Sequence, residues 1–304
     1  MRLRNRVALI AVLLLGGCGL SGCTARRQET SVFVDPQFAT LVPPDTTLIV
    51  GTRVEHLVKT PLYEKYLGGG RINIIDRVAR GTGIDPEKKL WNLLYVSNGS
   101  KSFVLGRGKF ADELMAPDFS KPGVRRFSYN KTMFFGDEQQ ALMLVNSSTI
   151  AIGETDTLRA LVDQRPSITG LPPSLAALTK EIPYQTQFWG AYAGGPVDIP
   201  FTGNLQNVNR VLGMIGQGVF YFDLTQGVTG MVRGDARTAQ DAREVHDALE
   251  GFLGLGRMLG PKSQPALLRV FDGIHVAQDG PRVTVNVQEP ADLAGEFLDR
   301  WLKQ

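Results

Sequence analysis

Four short runs rich in β-branched, aliphatic and aromatic residues follow one another with little but turns between them: Val124–Ser128, Thr132–Phe135, Ala141–Val145 and Thr149–Ile152. The joints fall at Tyr129-Asn130, Gly136-Asp137 and Asn146-Ser147. Joints this short connect antiparallel neighbours, because a parallel return needs a crossover of a dozen or more residues. The segment is therefore predicted as an antiparallel meander. Upstream, Leu93–Ser97 and Ser102–Arg107 bracket Asn98-Gly99, a strong hairpin signal.

Helical periodicity lies between the strand runs. Thr60-Pro61 reads as an N-cap and first helical position of a helix to Leu67, and Ile72, Ile75 and Val78 share a face in a second run. Ala111–Met115 is predicted as a short helix, and Thr155 opens one with Leu158, Leu161 and Val162 inward. Ser174–Thr179 and Asn204–Gly216 are further candidates. In Thr238–Phe252, Ala242, Val245, Leu249 and Phe252 recur at helical spacing, and the glycines of 251–260 are expected to loosen its end. Strands are expected near Leu267–Phe271, Ile274–Ala277 and Val283–Val287, then a last helix from Pro290.

The order of elements repeats. Tyr95–Gly108 and Tyr221–Gly234 have equal lengths, begin with Tyr, end in Arg-Gly, and read strand, turn, strand. Each is followed by further strands and a closing helix. Pro166–Pro173 breaks the pattern. The expectation is an α+β chain of two similar units, 44–165 and 174–304, each an antiparallel sheet with helices packed on one face. This order is reminiscent of exported bacterial proteins built from a repeated α+β unit, a likeness that carries over no active residues.

The N-terminus carries an address. Arg2, Arg4 and Arg6 precede the aliphatic run Val7–Leu15, which is shorter than the roughly 20 residues of a membrane span. Small residues then lead to Leu20-Ser21-Gly22-Cys23. The stretch resembles a bacterial lipoprotein signal peptide with its lipobox. The resemblance implies that 1–22 is removed and that Cys23 receives the lipid, of the palmitate type, at the new N-terminus. Leu15-Gly16-Gly17-Cys18 is a second, poorer match, and a plain cleaved signal or an uncleaved anchor is the bland alternative. Residues 23–43 would then be the lipidated cysteine and tether. Thr24 after the cysteine implies, by the same resemblance, sorting to the outer membrane, with the body facing the periplasm. Arg26 and Arg27 lie beside the lipid, where they either meet anionic headgroups or are simply solvated.

Charge and cysteine count narrow the chemistry. The net charge of +3 falls to zero when Arg2, Arg4 and Arg6 leave, so the mature chain lacks the basic footprint of a nucleic-acid binder. With Cys23 acylated and Cys18 removed, no thiol remains for a disulfide or a metal. His56, His246 and His275 are scattered and form no H-E-x-x-H or H-x-H. His246 lies among Glu244, Asp247 and Glu250 on a helix, which reads as a solvated face.

Two formal motifs fail on context. Gly106-Arg107-Gly108-Lys109-Phe110-Ala111 fits G-x-G-x-x-A but leaves a hairpin rather than a βαβ unit. Ser128-Tyr129-Asn130-Lys131 fits S-x-x-K but lies between strands, where the serine cannot open a helix one turn from the lysine. The strand aromatics Phe134-Phe135, Phe188-Trp189 and Phe220-Tyr221-Phe222 should alternate, one face filling the core and the other wet. No catalytic set, cofactor or metal site is assigned. The functional expectation is a non-enzymatic envelope lipoprotein that binds a partner protein or scaffolds an assembly. The alternatives are a periplasmic carrier of lipid or small ligand and, behind it, an envelope hydrolase.

Overall fold

The structure is a computed structural model, described over residues 31–67, 89–110, 125–196, 213–259 and 268–302. Cys18, Cys23, the tether through Thr30, the run at 72–79, the helix expected at Ala111–Met115 and most of Asn204–Gly216 lie outside the described residues. Residues 31–304 belong to one compact unit.

Among the described residues twelve strands form a single sheet. They are β1 (Leu48–Thr52), β2 (Leu90–Ser97), β3 (Ser102–Gly108), β4 (Arg125–Tyr129), β5 (Thr132–Gly136) and β6 (Gln140–Asn146). The rest are β7 (Thr149–Glu154), β8 (Phe188–Tyr192), β9 (Ile215–Asp223), β10 (Gly227–Ala236), β11 (Ile274–Asp279) and β12 (Arg282–Pro290). The order across the sheet is β11-β12-β10-β9-β8-β1-β2-β3-β7-β6-β5-β4, antiparallel at every step. The two sets of strands expected from the sequence meet at β1 and β8, whose residues Leu48–Thr52 oppose Tyr192–Phe188.

The helices are α1 (Pro36–Ala39), α2 (Val54–Leu57), α3 (Thr155–Gln164), α4 (Pro173–Thr179), α5 (Ala239–Leu259) and α6 (Ala291–Leu302). One face of the sheet, here the front, runs Gly51–Leu94–Leu105–Ala151–Met143–Phe134–Phe127 across successive strands. It is covered by Phe38 and Leu41, by Leu158 and Leu161 of α3, and by Leu175 and Leu178 of α4. The back face carries Leu90, Leu142 and Ile150 against Val54 of α2 and Phe110. Farther along, Val283 meets Ala242 and Val245 of α5.

Helices thus cover both faces, and the one-faced cover expected of each unit does not hold. The reason is legible in the strands. Leu93-Leu94 and Ile150-Ala151-Ile152 are apolar at consecutive positions, so both sides need covering.

Other departures have local causes. Helix α5 runs on through Gly251, Gly254 and Gly256 to Leu259, although each glycine costs about 1 kcal/mol against alanine in a helix interior. At position 256 a Cβ would stand 2.6 Å from the Phe271 ring, so the missing side chain admits that ring, and Arg257 donates to the Phe271 carbonyl at 2.7 Å. Phe271 itself closes a 3₁₀ turn, Arg269–Phe271, in place of the expected strand, and Phe297 of α6 meets its ring edge-on at 6.4 Å. Thr60 caps as expected, its hydroxyl accepting from the Tyr63 amide at 3.3 Å, but the turn that follows, Tyr63–Leu67, is a π-helix.

The N-terminal segment is tied down by polar contacts as well as by Phe38 and Leu41. Asp35 accepts from the Gln37 amide through one carboxylate oxygen and from Arg107 Nε at 2.9 Å through the other. The Arg107 guanidinium also donates to Ser148 and Thr149. Arg107→Ala is expected to raise deuterium uptake over 33–42 while β6 and β7 stay protected, at a cost of about 2 kcal/mol for the charged hydrogen bonds lost. Unchanged uptake over 33–42 would show that the apolar contacts alone hold the segment.

Candidate functional site

A cleft of about 520 Å³ opens at one end of the central strands. Arg53 and His56 reach it from the exit of β1, Tyr184, Gln185 and Gln187 from the entry to β8, and Asp223, Thr225, Gln226 and Thr229 from the β9–β10 hairpin.

Gln187 is the keystone. It is 4% exposed, and its polar atoms are used: Oε1 accepts from the Leu224 amide at 2.6 Å, and Nε2 donates to the Gln185 carbonyl at 2.8 Å and to Thr225 Oγ1 at 3.3 Å. Its carbonyl accepts from the Arg53 amide at 2.8 Å and its amide donates to the Phe222 carbonyl at 3.2 Å. The buried side chain, satisfied as a buried amide must be, ties the entry to β8 to the β9–β10 hairpin, and the main chain of the same residue ties both to the exit of β1. Asp223 shapes the hairpin, one carboxylate oxygen accepting from the Thr225 amide at 2.9 Å and the Thr225 hydroxyl at 2.6 Å. Such an Asx turn is the local preference of Asp before a reversal.

Arg53 is held on three sides. Nη1 donates to the Tyr184 carbonyl at 2.7 Å, Nη2 lies 2.9 Å from His56 Nε2, and the guanidinium sits 4.8 Å from the centre of the Tyr184 ring, a cation–π distance. A guanidinium only donates, so His56 Nε2 accepts, which requires the neutral ring protonated on Nδ1. Burial, and then the Arg53 charge, hold the His56 pKa below its ordinary value, while Glu55, 3.4 Å from Nε2, pulls the other way. A proton arriving on Nε2 would break the bond from Arg53 and turn the ring toward Glu55.

The folded state prefers neutral His56, so its contribution to stability is complete above the unfolded value near 6.5. The contribution declines as the pH falls below that value. An NMR titration is expected to place the His56 midpoint below 6.5, with Arg53→Met moving it upward. A midpoint that ignores Arg53→Met would show that the pair does not form.

The other residues singled out in the sequence are not gathered here. His246 lies on α5 with Nδ1 3.0 Å from Asp247, and His275 is exposed on the edge strand β11. The three histidines thus sit on separate elements. Among the described residues no group of three or more His, Cys, Asp or Glu could hold a metal, and no helix is long and apolar enough to cross a membrane.

Gly106 and Gly108 lie inside β3, between β2 and β7, and a Cβ on Gly108 would stand 2.1 Å from the Lys89 carbonyl. The glycines therefore serve close strand approach. Ser128–Lys131 is the β4–β5 hairpin, with Asn130 at φ 46° and Lys131 at φ 67°, and Asp163 accepts from Tyr129 Oη and Asn130 Nδ2, each at 2.8 Å.

The aromatics point alternately to the two faces, but the second face is not wet throughout: Phe135 is buried on the back face, in one apolar cluster with Leu142 and Phe110. Phe134 and Trp189 are buried on the front face, whereas Phe188 on the back face is 37% exposed, with Phe220 and Phe222 at centroid distances of 5.4 and 6.5 Å. The sequence offered His56 alone of the cleft. Arg53, Tyr184, Gln187 and Asp223 belong to no motif and come together only through the pairing of β1, β8 and β9.

No family model matches the chain, and no curated protein matches it. Among solved structures the chain is similar to crystal form I of TP0453, with 10% identity, a TM-score of 0.49, and coverage of 88% of this chain and 98% of that one. Crystal form III of the same protein gives 9% identity, a TM-score of 0.49 and coverage of 88% and 99%. Crystal form IV gives 10%, 0.44, and 89% and 96%. Nothing of TP0453 is carried over to this chain at that level of likeness.

Proposed function

We propose that this chain is a lipoprotein of the bacterial envelope, anchored through lipid on Cys23, facing the periplasm from the outer membrane, and binding a partner without catalysis. The anchor reading rests on Arg2, Arg4, Arg6, the aliphatic run and Leu20-Ser21-Gly22-Cys23. Cys23→Ser is expected to abolish incorporation of labelled palmitate and release the chain from membranes, and Cys18→Ser to leave both intact. The reverse pattern would move the lipid to Cys18.

The binding reading is carried by one observation. The cleft is fixed by Gln187 and Asp223, yet Nε of Arg53, the Tyr184 hydroxyl and the side chains of Gln185, Gln226 and Thr229 have no hydrogen-bond partner among the described residues. Polar groups that project from a fixed backbone without internal partners are open to a ligand. A photo-reactive residue placed at Gln226 in the native envelope should crosslink a bound partner, and Arg53→Ala should remove the product. No product from Gln226 would count against the reading.

The carrier alternative is favoured by Phe188, Phe220 and Phe222, an incompletely buried aromatic strip on the back face. Native mass spectrometry decides it: a reproducible added mass in the lipid range supports a carrier, and a clean chain mass removes it.

We also read the body as a duplication. From the central β1–β8 pair outward, the order is β1-β2-β3-β7-β6-β5-β4 on one side and β8-β9-β10-β12-β11 on the other, so the first five strands of each side correspond and β5 and β4 are extra on the first. Tyr95–Gly108 and Tyr221–Gly234 fall on the matching hairpins β2–β3 and β9–β10. Profiles of homologues aligned half against half test this, and the absence of a match centred on those hairpins would sink it.

A further inference from the structure

We propose that the cleft between β1, β8 and the β9–β10 hairpin binds a saccharide, a neutral sugar presenting vicinal hydroxyls. This deepens the binding reading above and rests on it. Donors remain on the Arg53 guanidinium and on the amides of Gln185 and Gln226, and acceptors on the second Asp223 oxygen and the two amide oxygens. The hydroxyls of Tyr184 and Thr229 serve as either. A sugar hydroxyl also both donates and accepts, and two on adjacent carbons match the two-atom spacing of an amide, a carboxylate or a guanidinium.

The remaining wall is aromatic. Tyr184 is 37% exposed although Arg53 covers part of its ring, which leaves ring surface for the C–H face of a pyranose. Preorganisation adds to affinity, because Gln187 and the Asp223 turn fix the backbone that carries these groups before the ligand arrives.

Other ligand classes fit less well. An acyl chain would leave the polar atoms of Arg53, Asp223 and Gln226 without partners. A phosphate or a carboxylate would meet Asp223 as well as Arg53. A cation finds no cluster of ligating side chains among the described residues. The volume of about 520 Å³ lies within the range of roughly 300–1,000 Å³ usual for small-molecule sites. The same chemistry is present on a cell-wall glycan and on a free oligosaccharide.

The test uses the full chain, extracted in an amine-oxide detergent because sugar-headed detergents would compete. Calorimetry is run with maltotetraose and with the tetramer of N-acetylglucosamine, and co-sedimentation with purified cell-wall sacculi. The expected result is saturable binding of at least one probe. Tyr184→Ala, and separately Gln226→Ala with Thr229→Ala, should each weaken it by about tenfold. Thermal unfolding separates lost binding from lost folding, and the exposed Gln226 and Thr229 provide a variant that keeps the fold if Tyr184→Ala does not. Binding to sacculi alone assigns the wall polymer, and binding to soluble tetramers alone assigns free oligosaccharide. Binding that survives both variants overturns the site. If no saccharide binds while the Gln226 crosslink forms and needs Arg53, the saccharide inference falls and the binding reading stands. If neither occurs, both fall.

Discussion

Trp189→Ala is expected to lower the unfolding free energy by about 3–5 kcal/mol, the usual loss for a buried aromatic truncated to alanine. The indole is 4% exposed at the joint of the sheet, where Trp189 of β8 opposes Gly51 of β1. A Cβ on Gly51 would lie 2.2 Å from indole carbons Cε2 and Cζ2, so the ring occupies the space that a side chain at 51 would need. Gly51→Val is accordingly expected to cost about 1–3 kcal/mol or more through overpacking. In a Trp189→Ala background the same change should cost less by at least about 1 kcal/mol, because the obstacle is gone. Urea unfolding of the four proteins of this cycle measures the coupling. Additivity within about 0.5 kcal/mol would show that the two residues do not share that space.

The second large effect concerns Arg233, whose side chain is only 9% exposed on the front face of β10. Both Nη atoms donate to Glu181, beyond the end of α4, Asp235 lies 3.7 Å away, and Nε has no partner among the described residues. Removing one partner of a buried pair leaves an uncompensated charge and can cost about 3–5 kcal/mol. Because Glu181 is 44% exposed and water can partly replace it, Glu181→Ala is expected to cost about 2–3 kcal/mol. Arg233→Met removes charge and need together, and is expected to cost less than about 1 kcal/mol. If Arg233→Met proves the more damaging of the two, the pair stabilises the fold through more than its burial.

The neighbouring Asp235 adds a pH dependence. Burial pushes its carboxyl up, but hydrogen bonds from Arg282 and Gln217 and the Arg233 charge outweigh burial and hold it below the ordinary value. Its contribution is present above the unfolded value near 3.8 and is lost as the pH falls through the lower folded one. Arg282→Ala should shift the acid midpoint of unfolding upward.

Much of the fold was legible locally. The runs from Val124 to Ile152 became β4–β7 within a residue or two at each end, because β-branched, aliphatic and aromatic runs and the Asn or Gly at the joints act over a few bonds. Helices α3 and α4 were legible for the same reason, and so was the start of α5. Where α5 ends was not, because what makes Gly256 tolerable is a ring fifteen residues away that reaches it only in the folded chain.

The cleft was less legible still. Arg53, Tyr184 and Asp223 are separated by up to 170 positions and have no common spacing. Gln187 looks like any polar residue before a strand until the β8–β9 pairing surrounds it with the amides and carbonyls it binds.

By itself, then, the sequence determined the antiparallel character of the strands and the caps and turns that bound them, since each is written in short-range chemistry. Only the tertiary structure decided that the strands join in one sheet, that helices cover both of its faces, and which side chains meet at its end. Those outcomes depend on apolar surface and hydrogen bonds between segments far apart in the chain, whose energies no local pattern contains.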